Sequence, residues 1–381
     1  MERNIKVAVR VRCSHPSRNA YCNPCRQGEL PVTKFLLSRH VNHNRMSMIS
    51  YFRNCERLAL SVGLLLLAVA GGSQAQTCFT GSEIDAPTAK AVEAATQKYY
   101  GMSAKGDVTG LKANAMPEVA GNFAGIETAV VANQPYFAGE TPSDVRTFVL
   151  DASELKTALQ RADFYCGIYN SAGRVVFSIP NLPPGRYAVT ITEVKGEHPI
   201  RLTMILQDTG NNSWKLAGYY ARLNSIGAHD GTWFLSKARE YKEKGQGHNA
   251  WFYYLTAWDL IAPVDFMGTP QLDKLSDEIQ TARLRDLPSA TAPLTLSSGG
   301  KTFQVTDMAA APVPGDLDLQ VQYETPDAAK STLAAQDNLA VSKALLAKYP
   351  ELREAFGAVI ARAVDNEGHS YTTLTPMKDV K

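Results

Sequence analysis

From Asp163 to Ile226 the chain alternates apolar and polar residues with a period of two, in five runs: "DFYCGIYN", "RVVFSIPNL", "RYAVTITEV", "PIRLTMILQD" and "SWKLAGYYARL". Turn clusters separate them at Ser171-Ala172-Gly173, Pro183-Pro184-Gly185, Gly196-Glu197-His198 and Gly210-Asn211-Asn212. Alternation broken by Gly, Pro and Asn predicts hairpin-linked strands. In "RYAVTITEV", Tyr187, Val189 and Ile191 share one face, and Ala188, Thr190 and Thr192 the other. Such a meander predicts an antiparallel sheet with one apolar face. Upstream, residues 85–160 read as helical: "PTAKAVEAATQKYYGMSAKGD" sets Val92, Ala95 and Tyr99 at helical spacing, and "DVTGLKANAMPEVAGNF" follows. Those helices are available to cover the sheet.

Downstream the period changes again. Residues 232–263 read as a helical hairpin, and a third helix starts at Thr269-Pro270, a hydroxyl cap before a first-turn proline, and runs through "QLDKLSDEIQTARLRDL". After "LPSATAP", the strands "TFQVTDMAAAPV" and "LDLQVQYET" precede a helix, "AAKSTLAAQDNLAVSKALLAKYPELREAF", and a strand pair that turns at Asn366-Glu367-Gly368. The fold class expected is therefore α+β: helices packed on an antiparallel meander (76–226), a helical hairpin plus one helix (227–287), and a small C-terminal α/β sandwich (288–381).

The first 75 residues follow another logic. Beginning at Met46, Arg53 and Arg57 precede an uninterrupted apolar run from Leu58 to Ala70, then Gly71-Gly72 and the small residues Ser73 and Ala75. This is the three-part layout of a signal peptide, and the run is short for a membrane span. The expectation is export to the periplasm or medium, with cleavage after Ala75; the alternative is a buried or anchoring helix. Thr77 and Ala75 do not fit the slots of a lipobox before Cys78. The 45 residues in front carry nine Lys or Arg against two acids, without sustained periodicity. They are read as a disordered start-site artefact, the true start being Met46 or Met48.

That reading changes the charge. Taking the 11 basic and 3 acidic residues of 1–75 from the chain's 39 and 37 leaves 28 against 34, a net charge of −6. A surface of that sign predicts no nucleic-acid partner, and a cleaved signal leaves no stable membrane anchor. The six cysteines reduce to Cys78 and Cys166, which in an oxidising compartment are candidates for one disulfide; two buried thiols are the alternative.

Several motifs invite a function. "NIKVAVRVR" (4–12) resembles the first strand of a kinesin motor, which implies a nucleotide site. The nearest phosphate-loop match is "TLSSGGKTF", but Thr295 stands where the motif requires Gly, and Gly299-Gly300 reads as a hairpin turn. Cys13, His15, Cys22 and Cys25, with His40 and His43, sketch a zinc site, yet contain a single C-x-x-C pair and match no common finger spacing. No metal and no cofactor are expected. Of the histidines that remain, His198 and His369 sit in predicted turns. His229-Asp230 and His248 open the two hairpin helices, which would bring the two rings near one another, while helix capping by Asp230 accounts for that residue without chemistry. H-E-x-x-H and G-x-S-x-G do not occur, nor does G-x-G-x-x-G between a strand and a helix.

Helices followed by a meander ending in "SWKLAGYYAR" resemble a nuclear-transport-factor-2-like or cystatin-like α+β domain over about 85–226. "FSIPNLPPGRYAV" also resembles the turn of collagen-adhesin repeat modules, but an immunoglobulin-like reading has too few strands. The first resemblance implies a pocket between helix and curved sheet, and places Tyr99, Phe164, Tyr187, Trp214, Tyr219 and Tyr220 on its wall. Core packing is the other fate open to such aromatics. The hairpin resembles a single tetratricopeptide repeat: Phe234, Ala238, Tyr241, Ala250, Tyr254 and Ala257 match its aromatic and small slots, with Pro263 one residue late. It offers Trp251, Phe252 and Trp258 as partner contacts. The expected function is a non-catalytic exported binding or accessory protein for an unknown protein or small apolar ligand. The alternatives are a hydrolase or isomerase using the α+β pocket, and a structural envelope protein.

Overall fold

The computed structural model describes residues 76–167, 172–313 and 315–381. The leader, the signal segment and the zinc-like cluster Cys13, His15, Cys22, Cys25, His40 and His43 lie outside the described residues.

Helix α1 (Ala86–Lys105) starts where the Asp85 carboxylate accepts the Thr88 amide at 2.9 Å, and stops at Gly106, whose φ of 67° is the left-handed geometry of a helix C-cap. Its inward stripe, Val92, Thr96, Tyr99 and Ser103, advances by three or four residues, as a helix face must. Helices α2 (Val108–Ala113), α3 (Pro117–Gly121) and α4 (Ala124–Phe137) complete the helical layer. Here the helical expectation for 85–160 is corrected. Residues Pro142–Asp151 form strand β2, and the short strand β1 (Thr77–Thr80) pairs with it, Cys78 opposite Leu150. The first half of β2 is exposed and lacks an apolar rhythm, while Phe148, Val149 and Leu150 are all buried, which obscures alternation.

The strands also divide differently from a single meander. Strands β3 (Leu159–Cys166) and β4 (Val175–Leu182) form a separate three-stranded sheet with β10 (Met267–Gly268), in the order β10-β4-β3. Strands β5 (Arg186–Val194), β6 (Ile200–Asp208) and β7 (Trp214–Leu223) join the earlier pair in an antiparallel sheet ordered β1-β2-β5-β6-β7. This larger sheet is buried on both faces. Ala188, Leu202, Met204 and Leu206 meet Val92, Tyr99, Leu111 and Phe137 of the helices. On the opposite face Tyr187, Val189 and Ile191 pack with Phe164, Phe177 and Leu182 of the smaller sheet. Cys78 and Cys166 form a disulfide (S–S 1.97 Å) that staples β1 of one sheet to β3 of the other. Cys166 thus stands on the third strand of the region and not on its first.

After a two-residue ribbon, β8 (Ser225–Ile226) with β9 (His229–Asp230), come α5 (Gly231–Glu243), α6 (Gly247–Ile261) and α7 (Pro270–Thr281). Asp230 caps α5 by accepting the Trp233 amide at 2.8 Å, and the Thr269 hydroxyl caps α7 by accepting the Leu272 amide at 3.2 Å. Helix α7 ends six residues before Leu287, where its sequence pattern runs out. Two arginines directly opposite each other on β6 and β7, Arg201 and Arg222, reach from the first sheet to the C-terminal end of α6. Arg201 donates to the Leu260 and Ile261 carbonyls, and Arg222 to the Ala262 carbonyl and the Asp265 carboxylate.

The last unit is a five-stranded sheet in the order β11-β12-β13-β14-β15: β11 (Leu294–Ser298), β12 (Lys301–Val313), β13 (Asp316–Glu324), β14 (Ala358–Val364) and β15 (Ser370–Pro376). Only β13 and β14 run parallel, and α8 (Ser331–Lys348) with the short α9 (Leu352–Ala355) makes the crossover this requires. The hairpin and this sheet share one apolar core, with Phe252, Tyr253 and Leu275 in the same cluster as Val321, Leu345 and Val359. Among the described residues no helix is long and apolar enough to cross a membrane.

Candidate functional site

On α5, Arg239, Lys242 and Glu243 fall three and four residues apart, so one helix face presents all three side chains. On α7, Lys274 and Glu278 are likewise neighbours, and Tyr254 of α6 lies beneath. These six residues line a cleft of about 490 Å³ between the helices. Its two walls are fastened by a bidentate ion pair: Arg239 Nε donates to Glu278 Oε2 at 2.8 Å, and Nη2 to Oε1 at 2.7 Å. A planar guanidinium on a carboxylate is the strongest common form of such a pair. The hydrogen bonds from Arg239 hold the Glu278 carboxyl below its usual range. Burial and the adjacent Glu278 push the Tyr254 hydroxyl up to about 12, so it remains a neutral donor at the floor. Lys242 and Lys274 stand exposed on the rim. Charged heads border an open cleft whose accessible lining is mostly the aliphatic stems of these side chains and the Tyr254 ring, an arrangement suited to a segment with both apolar and charged groups.

The six aromatics assigned to a single pocket wall divide among three environments. Tyr99, Trp214 and Tyr219 lie in the core under the helices. The Tyr99 hydroxyl donates to the Trp214 carbonyl at 2.9 Å and so ties α1 to β7. Phe164 and Tyr187 lie in the other core, between the two sheets. Tyr220 is 37% exposed and meets Phe266 edge-on. Within the helix-covered core, the Trp214 indole nitrogen and the Thr190 and Thr192 hydroxyls are buried without a hydrogen-bond partner, and the buried Tyr219 hydroxyl lies beside Ser103. Burial pushes Tyr219 up to about 12. Of the three hairpin aromatics, Phe252 is core, packed edge-on against Phe356, while Trp251 and Trp258 are half-buried.

The histidine pair is also resolved. The start of α5 abuts the end of α6, since a Cβ at Gly231 would strike Ile261, so His229 and His248 occupy opposite ends of the hairpin. His229 instead stacks on Trp233 at 3.7 Å. His248 is buried between two carboxylates, Glu351 at Nδ1 and Asp286 at Nε2, both 3.2 Å away. His369 meets Asp365 at 2.9 Å in an exposed turn, and His198 is half-buried against Tyr136. Asp163, in the middle of β3 and not at a strand end, is partly buried, which raises it, but hydrogen bonds from Ser178 and Arg161 prevail and keep it below its usual range. In the "SGGKT" segment, Gly299 and Gly300 form the turn of the β11–β12 hairpin, and Lys301 pairs with Asp337 of α8 at 2.8 Å. Among the described residues no cluster of three or more His, Cys, Asp or Glu side chains is set to hold a metal ion.

The charged groove residues were absent from the sequence expectation, which looked to aromatic side chains and named Tyr254 only as a repeat slot. The available signal was the three-and-four spacing of charges on α5 and α7. In comparisons with known proteins, no family model, curated protein or solved structure matches this chain.

Proposed function

We propose that the chain is an exported, non-catalytic binding or accessory protein, and that the groove between α5 and α7 takes an amphipathic segment of a partner protein. The observation that carries this reading is the groove itself: a cleft of about 490 Å³ with walls fastened to each other by the Arg239–Glu278 pair and an exposed lysine on each rim. A preformed cleft binds with little reorganisation. In this reading α5 and α6 act as one tetratricopeptide-like unit and α7 supplies the neighbouring helix that such a unit needs for burial. The disulfide between Cys78 and Cys166 supports export, because such bonds persist chiefly in oxidising compartments. Cleavage after Ala75 would leave Gln76 at the new N-terminus, where its side chain accepts the Asp163 amide at 2.8 Å.

A photoreactive residue placed at Lys242 or Lys274 in the producing cell tests the groove. Crosslinks to one protein from both positions, with none from exposed Val131, are expected. Equal labelling from Val131, or no crosslinked protein from either lysine position, defeats the proposal. N-terminal sequencing of the exported product tests the cleavage site independently.

A second reading places a small ligand under the helices of the first region, in the manner of a nuclear-transport-factor-2-like domain. It is favoured by the partnerless Trp214 indole and the Thr190 and Thr192 hydroxyls, since buried polar groups ordinarily have partners. Native mass spectrometry of the purified chain distinguishes a retained small molecule from an empty core.

A further inference from the structure

The imidazole of His248 presents an arrangement that a neutral ring cannot fill. Both nitrogens face carboxylate oxygens at 3.2 Å: Nδ1 faces Glu351 Oε1 and Nε2 faces Asp286 Oδ2. A neutral imidazole has one N–H and one lone pair, so one carboxylate would confront a lone pair. The imidazolium donates from both nitrogens and satisfies both acceptors. The three groups come from different parts of the fold. His248 opens α6, Asp286 follows α7, and Glu351 stands in the turn between α8 and α9. We propose that His248 is a proton-dependent clasp joining the helical hairpin to the C-terminal sheet unit, two-armed when the ring is charged and one-armed when it is neutral.

The surroundings fit that role. The Tyr349 ring lies 4.2 Å from the imidazole, and its hydroxyl donates to the same Asp286 oxygen at 3.4 Å. Burial and Asp286 push Tyr349 upward, so its hydroxyl stays protonated across the range in which histidine titrates. Lys348 lies over the Tyr349 ring, its ammonium 5.4 Å from the centroid. Glu354, the next carboxylate along α9, is taken by Lys244 and Gln246, each at 2.7 Å. The charged and titratable groups facing the clasp are therefore Asp286, Tyr349 and Glu351, with Glu354 and Lys244 already paired beside it. The Glu351 side chain is 24% exposed and that of Asp286 54%, so water screens the Asp286 arm more. The Glu351 arm is the stronger. The clasp is complete while the ring is charged, and the seam weakens as rising pH removes the proton. This inference does not depend on the groove as a binding site.

The test uses the full chain between about pH 5 and about pH 8, the span in which histidine changes charge. Ring-nitrogen NMR of His248 is expected to show both nitrogens protonated at the acidic end and one at the alkaline end. Over the same transition, the amides of Leu352–Ala355, corrected for intrinsic exchange, should lose protection by roughly tenfold, the scale of one charge-assisted hydrogen bond. H248Q should lower protection at acidic pH and abolish that pH dependence. E351Q should reproduce most of the loss and D286N a smaller part. A His248 ring that is neutral throughout overturns the clasp, as does protection in H248Q that falls with pH in parallel with the unmodified protein. If H248Q does not fold, the ring-nitrogen titration and E351Q decide the matter by the same criteria.

Discussion

Along residues 76–226 the larger sheet is buried on both faces by apolar side chains and then stapled by a disulfide, whereas along 227–381 the hairpin meets α9 through polar atoms. There the Tyr253 hydroxyl donates to the Ala355 carbonyl at 2.6 Å, the Asn249 amide to the Glu351 carbonyl at 2.7 Å, and Lys244 and Gln246 to Glu354. Both regions have continuous apolar cores, so the difference lies in what joins their parts. Apolar burial and a covalent bond do not respond to protons. Carboxylates and an imidazole do, and their contribution changes with solvent conditions. The first region is built to one setting, and the second has an adjustable joint.

Reducing or removing the Cys78–Cys166 bridge tests the first half of that contrast. It closes a separation of 88 residues, which in the loop-entropy model corresponds to about 4–5 kcal/mol. Denaturant unfolding with and without reductant should show a loss of that order in the 76–226 region and little change in the α9 amides. A uniform loss over both regions would break the distinction. Phe252→Ala should cost about 3–5 kcal/mol by emptying a buried aromatic site. A variant that keeps its unfolding midpoint would return Phe252 to the role of a partner contact.

Asp318 gives a finer probe. It is buried on β13, and burial, then Asp316, raises its pKa to about 6, while the Ala358 amide opposes the shift. The folded state therefore binds a proton that the unfolded state releases, and stability falls as pH rises from the ordinary aspartate range through about 6. Asp318→Asn should add roughly 1–3 kcal/mol above that window and nothing below it. A gain that is the same at pH 3 and at about pH 8 would remove Asp318 as a source of proton sensitivity in this region. Thr269→Ala, which deletes the cap of α7, should cost about 1 kcal/mol in thermal unfolding. Lys242→Ala with Lys274→Ala should change stability by less than about 0.5 kcal/mol, because both side chains are exposed. A larger effect would make the groove rim part of the scaffold.

What the sequence disclosed follows interaction range. Asp230, Thr269, the Gly299-Gly300 turn and the strand pair around Gly368 are fixed by contacts within a few residues, and their chemistry is written in place. The two cysteines announced a pairing because the sequence has no others after residue 75. The division of the meander into two sheets was not legible, because period-two alternation names a strand's faces without naming what covers them. Tyr187 and Ala188 alternate correctly, yet each faces a buried layer. The groove was hidden for a similar reason: Arg239 and Glu278 are 39 residues apart and meet only when α7 folds beside α5. His229 and His248 were placed together by proximity in sequence, and the antiparallel run of the hairpin put them at opposite ends.

The arginines at the C-terminal end of α6 have a mechanical meaning. Arg201 and Arg222 are like charges on adjacent strands, kept tolerable by Glu193, by Asp265 and by the helix carbonyls they cap. Pulling the helix away would leave two cations facing each other, so this end of α6 is an anchor. The opposite end, about 20 Å away along the helix axis, carries His248. Helix α6 is thus held at one end by fixed charges and at the other by the proposed proton-dependent clasp.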